Sequence, residues 1–300
     1  MRGTLNIWLS AGLLTAALLC GSGIAAARDA HGAQYGGQSQ PAQQQPPPQP
    51  NTKDKQPSAA PLSMDAAAPA ASAEEEAAYK AIEAAPETDV NKKIQLSEDF
   101  VQKYPQSRYK AVIYQALVSG YFSTQQVPKL LDIGDKEIQM NPNDAPVLAV
   151  MAQTIARTFN AKAPDAEQQL AKAEEYSKRA IEVTPTLPKP ANLTDEAFTM
   201  AKNDTLGMAH GGLGLVYIRK AKFQEAIPEL EQSIKSDTRP QPDPVNYYLL
   251  GLANDKTSHF EAAATAFTKC AAIQSSLQPT CKGAAEEAKK HASTQLSAPN

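Results

Sequence analysis

Cysteines, histidines and a glycine-rich segment are the residues of this 300-residue chain whose types and spacing suggest chemistry. Near the C-terminus, Cys270 and Cys281 lie eleven residues apart, a spacing that a helix–turn–helix can bring together. We expect a disulfide between them, which would fasten a closing helix to the helix before it. Two free thiols or a reactive pair are the alternatives.

The histidines indicate no metal centre, because they are scattered along the chain at His31, His210, His259 and His291. In particular, His210 occupies an aromatic position of a repeat, where packing accounts for it. No His-Glu-x-x-His motif and no nucleophile elbow is present. We therefore predict no metal site, no cofactor and no catalytic residue, and we predict that the protein is not an enzyme.

The segment Gly211-Gly212-Leu213-Gly214 has the glycine content of a phosphate-binding loop but not its context. Such loops follow a strand and open a helix, whereas this segment lies inside a helical pattern. We interpret its glycines as points of close helix packing, or as a flat patch that a ligand backbone can approach. The paired carboxylates Glu174-Glu175 and Glu286-Glu287 are assigned to solvated helix faces.

The glycine segment belongs to a unit that occurs twice between Gly207 and Cys270. In both copies, a Leu-Gly pair is followed at the same intervals by an aromatic residue, an alanine and a large apolar residue. The first copy has Leu213, Phe223, Ala226 and Leu230, and the second has Leu250, Phe260, Ala263 and Phe267. A repeat of this kind predicts stacked pairs of helices.

The charge balance disfavours nucleic acid as a partner. The formal net charge is −3 at pH 7, with 29 basic and 32 acidic residues. Removing residues 1–27 would take away Arg2 and leave 28 basic against 32 acidic residues, or −4. Phosphate binding needs a basic surface, which this composition does not provide.

The N-terminus has the pattern of an export signal. Arg2 precedes an apolar run from Leu5 to Leu19, and three alanines end at Ala27. We expect residues 1–27 to be a cleaved signal peptide, which would place the mature protein in the periplasm or cell envelope without an integral membrane segment. The alternatives are an uncleaved anchor, since the run nears spanning length, and a lipid on Cys20, which the preceding leucines disfavour.

Residues 28–72 are predicted to form a disordered linker. The stretch is rich in Pro, Gln, Ala and Ser, and no aromatic residue follows Gln40 within it. Such a composition cannot bury enough apolar surface to offset the entropy lost on ordering. A tether is the expected role, and a ligand for a proline-binding module through Pro46–Pro48 is the alternative.

From Ala73 the pattern is helical, and residues 73–293 are predicted to form five helix pairs and a capping helix. Thr194 is expected to cap a long helix that reaches Lys220, and Ser258 with Glu261 is expected to form a capping box. We expect the pairs at residues 74–108, 109–144, 145–188, 194–241 and 244–277, the cap at 279–292 and a disordered tail at 294–300.

These units resemble the tetratricopeptide repeat, a 34-residue helical hairpin. Counted from Gly207, the matching residues are Leu213, Gly214, Tyr217, Ala226 and Leu230; counted from Pro244, they are Tyr247, Leu250, Gly251, Ala263 and Phe267. Units counted from Glu74, Ala111 and Ala145 match fewer positions. The resemblance implies an all-α, right-handed superhelical array of antiparallel helix pairs that serves as a non-catalytic protein-binding scaffold.

A second, shorter resemblance concerns the segment from Tyr104 to Tyr109, which reads Tyr-Pro-Gln-Ser-Arg-Tyr. It is similar to a Tyr-Pro-x-Ser-x-Tyr link in bacterial envelope proteins of the same repeat class. Those proteins include an outer-membrane assembly lipoprotein and a periplasmic cell-division coordinator. The alternative function implied here is an envelope assembly or cell-division accessory with a fixed partner.

The resemblance also implies that the first helix of each pair lines a concave groove. The residues expected to face it are Gln115, Ser119, Phe122, Gln153, Arg157, Leu215, Ile218, Arg219, Tyr248, Leu252 and Lys256. The set carries few charges and lacks the Lys and Asn arrangement by which chaperone-binding members hold a C-terminal carboxylate. An apolar or extended peptide or protein segment is therefore the expected partner.

Overall fold

The structure, a computed structural model, describes residues 71–297. The predicted signal peptide and almost all of the predicted linker lie outside the described residues, as do residues 298–300. The described part of the chain forms eleven α-helices and no strand, which confirms the expected all-α fold. None of these helices is both long and apolar enough to cross a membrane.

The helices follow one another as hairpins. The first helices of the five pairs are α1 (Ala73–Ala84), α3 (Lys110–Ser123), α5 (Ala145–Arg157), α7 (Asp195–Arg219) and α9 (Pro244–Lys256). The second helices are α2 (Val90–Lys103), α4 (Val127–Met140), α6 (Ala166–Val183), α8 (Phe223–Ser236) and α10 (Phe260–Ala272), and α11 (Gln278–Ser297) closes the array. Each helix packs on the next, and the first helices of pairs two to five also pack on one another, as in a solenoid.

Short polar side chains fix where several helices begin. Oγ1 of Thr194 accepts a hydrogen bond from the backbone N–H of Ala197 at 3.1 Å, so the predicted cap of α7 is confirmed. Oδ1 of Asp144 accepts from the N–H of Val147 at the start of α5, also at 3.1 Å. Each cap satisfies a backbone donor that has no partner within its helix.

The capping box predicted at Ser258 and Glu261 is wrong. The N-cap of α10 is His259, and no side chain caps this helix. Ser258 has a left-handed φ of 63°, because it makes the tight turn between the two helices of its pair. Gln125 and Ala221 have φ of 57° and 55° in the equivalent turns, so the repeat itself places a left-handed residue before the cap.

Two of the buried glycines, Gly212 and Gly251, lie where helices approach closely. A Cβ atom at Gly212 would lie 3.2 Å from the backbone nitrogen of Gln153, so α7 packs directly on the backbone of α5. A Cβ atom at Gly251 would lie 2.6 Å from two ring carbons of Phe267. The interpretation of the glycine-rich segment as a packing feature is therefore confirmed.

The C-terminal end of the array is closed by a covalent link. Cys270 of α10 and Cys281 of α11 form a disulfide, with their Cα atoms 5.8 Å apart and both residues fully buried. Ala285 and Ala288 continue the same face of α11 into the core of the fifth pair. The helix runs on to Ser297, past the start of the predicted tail, and the Thr294 hydroxyl bonds back to the Lys290 carbonyl at 2.9 Å.

The Tyr104–Tyr109 segment fastens the N-terminal helix to the array. The Ser107 hydroxyl donates to Oε1 of Glu75 at 2.6 Å, and the Tyr109 hydroxyl donates to Glu76. The Tyr109 ring also stacks on Tyr79, with the ring centroids 4.0 Å apart. The polar and aromatic residues of this segment thus hold α1 in place.

Candidate functional site

The residues predicted to line a groove lie on α3, α5, α7 and α9, but they are not equally accessible. Gln153 and Leu215 are only 6% and 7% exposed. Leu215 packs in one cluster with Ala156 and Leu249, and Gln153 faces Gly212 of the next first helix. Leu215 therefore contributes to packing between successive pairs through its side chain, and Gln153 does so through its backbone.

Several of the predicted residues have one side in the core and the other at the surface. Phe122, Ile218, Tyr248 and Leu252 are half-buried, as is Ser119. Ile218 and Tyr248 border the same core cluster, and Tyr248 and Leu252 border the next one, so we refer to these three side chains of α7 and α9 as the apolar strip. The Tyr248 ring is oriented by Phe267, whose ring centroid is 5.7 Å away.

The three predicted cations have different surroundings. Nη2 of Arg157 is 2.7 Å from Oδ2 of Asp243, so this arginine forms an ion pair that joins α5 to the residue preceding α9. The Arg219 guanidinium lies 5.8 Å from the centre of the Phe159 ring. Lys256 is exposed. Within residues 71–297, no carboxylate pairs with Arg219 or Lys256.

Phe159 and Asp243 were not among the predicted site residues. Both lie outside the first helices, Phe159 just after α5 and Asp243 just before α9. The repeat pattern assigns groove positions only within the helices, so it gives no signal for residues in the connecting turns.

The remaining predicted residue, Gln115, belongs to a buried polar cluster, so its side-chain amide is not available to a partner. Its side-chain amide donates to Oδ2 of Asp144. Beside Asp144 lies Glu137, which is fully buried on α4. Burial raises the pKa of Glu137 to about 7, although a hydrogen bond from Asn141 opposes the shift.

Other candidate groups are engaged in structural contacts. The His210 ring bonds Glu229 at 2.7 Å, in line with the packing role expected for it. Glu174 does not lie on a purely solvated face, because it contacts Lys178 at 2.6 Å and Lys220 at 2.5 Å. Burial would raise the pKa of Glu174, but the hydrogen bonds from both lysines outweigh it and lower the pKa below its ordinary value.

No metal centre is apparent in the described part of the chain, where no three His, Cys, Asp or Glu side chains come together. The predicted groove residues that remain accessible on α7 and α9 form a candidate binding surface together with Phe159. We name it the α7–α9 face and define it by Phe159, Ile218, Arg219, Tyr248, Leu252 and Lys256.

Sequence comparison identifies the repeat type of the fourth helix pair, whose first helix provides part of this face. A profile of the tetratricopeptide repeat matches residues 209–239, which include most of the Gly207 unit and all of α8. The chain carries a tetratricopeptide repeat. The hairpins on either side of the matched repeat follow the same helix order, so the fold is a tetratricopeptide-type solenoid. Comparison with curated proteins found no match.

Solved structures with detectable similarity include two that are described as tetratricopeptide repeat proteins, TTC0263 and a protein of Parabacteroides merdae. TTC0263, a thermophilic protein of Thermus thermophilus, has 14% identity and a TM-score of 0.43, covering 72% of this chain and 98% of its own. The MamA RS-1 double mutant has 16% identity and a TM-score of 0.38, covering 63% and 98%. A tetratricopeptide repeat protein of Parabacteroides merdae ATCC 43184 has 12% identity and a TM-score of 0.29, covering 71% and 96%.

Proposed function

We propose that this protein is a non-catalytic scaffold of the bacterial cell envelope that binds an extended, mainly apolar segment of a partner protein on the α7–α9 face. The observation that carries the proposal is the apolar strip of Ile218, Tyr248 and Leu252, flanked by two cations without a carboxylate partner among the described residues. Tetratricopeptide repeat proteins are generally interaction scaffolds, which agrees with this role.

The α7–α9 face suits binding because its apolar side chains are already ordered. Tyr248 is held against Phe267, and Arg219 is held over Phe159, so little side-chain entropy remains to be lost on binding. Tyrosine and arginine are also the residue types that most often dominate binding energy in protein interfaces. The strip would contact apolar side chains of the partner, and the two cations would favour acidic groups next to them.

The envelope location is supported by two features of the chain. The apolar run and the three alanines at the N-terminus have the pattern of an export signal. The Cys270–Cys281 disulfide agrees with an oxidising compartment. The Tyr104–Tyr109 link, in contrast, makes contacts that hold α1, so it does not by itself favour the cell-division or assembly alternative.

Photo-crosslinking in intact cells tests the proposal and supplies the partner. A crosslinking amino acid at position 252 should capture a discrete protein, whereas the same amino acid at the exposed position 231 of α8 should not. Equal capture at both positions, or none at position 252, would contradict binding at the α7–α9 face.

A charge-reversal pair then measures the contribution of the face. Arg219→Glu with Lys256→Glu should weaken binding of the captured partner by about tenfold or more, since each charge contact is worth roughly 0.5–1 kcal/mol and reversal adds repulsion. The matched control is Lys235→Glu with Lys269→Glu, because these cations also lie in the last turns of helices. Equal losses in the two double variants would show that net charge, and not the face, governs binding.

A further inference from the structure

A buried pair of carboxyl groups lies where the second and third helix pairs meet. Glu137 on α4 is 0% exposed, and Asp144, the N-cap of α5, is 8% exposed. Asn141 connects them in the short turn between α4 and α5: its side-chain amide donates to Glu137 at 2.6 Å, and its carbonyl accepts from the backbone N–H of Asp144 at 3.1 Å. Two ionised carboxylates cannot occupy such a site without a large free-energy cost, so one of the two carboxyl groups must hold a proton. The hydrogen bonds around the pair indicate which one.

The hydrogen bonds identify Asp144 as the ionised partner. Its Oδ1 accepts from the backbone N–H of Val147 at 3.1 Å, and its Oδ2 accepts from the Gln115 amide. Both oxygens are therefore acceptors, as expected for a carboxylate. Burial raises the pKa of Asp144, but the bonds from Gln115 and Val147 oppose that shift and favour its charged form.

Glu137 has the complementary pattern. Its Oε1 accepts from the Asn141 amide at 2.6 Å, whereas its buried Oε2 has no hydrogen-bond donor among the described residues. A proton on Oε2 removes this deficit, because a protonated acid can donate to Asp144.

The groups facing the pair from the packed helices are neutral. They are the Gln115 amide of α3, the Asn141 amide at the end of α4 and the backbone N–H of Val147 in α5. From α6, the Arg179 guanidinium is turned to the exposed Asn143 side chain at 2.9 Å. Within residues 71–297, no Lys or Arg forms an ion pair with either carboxyl group.

We propose that a proton held by Glu137 and donated to Asp144 locks the junction between α4 and α5, and that loss of this proton as the pH rises loosens the junction. Ionised Glu137 would repel the Asp144 carboxylate that caps α5. Gln115, which bonds the same carboxylate, would transmit the change to α3 and hence to the row of first helices.

The direction and range of the effect follow from the raised pKa of Glu137. The ordinary pKa is 4.5 and the pKa in the folded protein is about 7, so the stability supplied by the protonated form is complete below 4.5 and is lost as the pH rises through about 7. The opening equilibrium of the junction should accordingly increase about tenfold between about pH 6 and about pH 8.

Hydrogen exchange of the backbone amides in α4 and α5 tests the lock in the intact chain. After correction for the intrinsic dependence of exchange on pH, the protection of these helices should fall about tenfold over that range. In Glu137→Gln, an amide donor replaces the acid and cannot titrate, so the protection should not change with pH. Glu231→Gln, which alters an exposed carboxylate of α8, should behave as the unaltered chain does.

Two results would overturn the proposal: pH-independent protection in the unaltered chain, or the same pH dependence in Glu137→Gln.

Carbon-13 NMR of the Glu137 carboxyl in the unaltered chain provides a second test that needs no variant. A midpoint near 7 is expected, and a midpoint near 4.5 would show that the site holds no proton at neutral pH. Asp144→Asn keeps a capping oxygen but removes the charge, so it should lower that midpoint; an unchanged midpoint would contradict the assignment of the charge to Asp144.

Discussion

At Gly251, a missing side chain makes room for an aromatic ring. The Phe267 ring carbons lie 2.6 Å from where a Cβ atom would be, closer than side chains can approach without movement. Phe267 is almost fully buried and contacts Tyr248, so the ring has little space to yield. The Leu-Gly pattern in the sequence is thus explained by packing between the two helices of one pair.

Replacing Gly251 with alanine should destabilise the protein by about 1–3 kcal/mol, the usual cost of overpacking a core. Gly283 is the matched control, because it is also helical but a Cβ atom added to it would have nothing within 4 Å. Gly283→Ala should stabilise the protein by roughly 0.5–1 kcal/mol through helix propensity. Urea unfolding measures both changes. Stabilisation by both substitutions would show that the Phe267 ring can move away from the added Cβ atom at little cost in free energy.

Individual residues with unusual electrostatics were harder to predict than the glycines. Glu137 and Asp144 are on different helices, and nothing in their spacing distinguishes them from carboxylates on solvated faces. Glu174 was assigned to such a face, but Lys178 of its own helix and Lys220 from the end of α7 enclose it. Contacts of this kind depend on how helices from different repeats align, which the repeat pattern does not specify.

At the scale of elements, the disulfide makes α11 part of the fifth pair. It joins α10 and α11 through two buried sulfurs, while the outer face of α11 is polar and exposed. Repeat arrays need such a closing element, because the last pair would otherwise expose its apolar face.

Loss of the disulfide should therefore destabilise the C-terminal end first. We expect the double variant Cys270→Ala with Cys281→Ala to be about 2–4 kcal/mol less stable, with faster amide exchange in α11 than in α7. Alkylation of the denatured, exported protein should label no cysteine before reduction and both afterwards. Labelling of both before reduction would contradict the disulfide.

Helix positions were predicted well where local sequence determines them. The start of α7 follows from Thr194, whose hydroxyl caps the helix. The start of α10 was missed because Ser258 adopts a left-handed conformation. A side chain type that suits a cap does not act as one when the turn before the helix requires positive φ.

At the scale of the whole array, repeat positions predict which helix a residue lies on better than whether it is accessible. Leu215 and Tyr248 were both assigned to the groove, yet Leu215 is buried between first helices whereas Tyr248 remains half-exposed. The difference arises from the local approach of successive helices, which the glycines of α7 make unusually close. The solvent exposure of a side chain on a first helix is thus determined by the packing of neighbouring helix pairs, and not by its position within one repeat.

The same dependence on neighbours predicts how the described part of the array opens. In α5, every residue from Val147 to Ala156 is buried, and the helix packs on α3, α4, α6 and α7. In contrast, α1 packs mainly on α2 and is fastened by the Tyr104–Tyr109 segment. Because a solenoid makes contacts only between neighbours, its terminal helices can open without disrupting its centre.

Native-state hydrogen exchange at about pH 6, where Glu137 retains its proton, should therefore give opening free energies at least about 3 kcal/mol higher in α5 than in α1. Tyr109→Phe removes the hydrogen bond to Glu76 but keeps the ring, so it should accelerate exchange in α1 and leave α7 to α10 unchanged. Equal opening free energies in α1 and α5 would mean that the array unfolds as one cooperative unit. In that case, the Tyr109 substitution would lower protection in every helix alike.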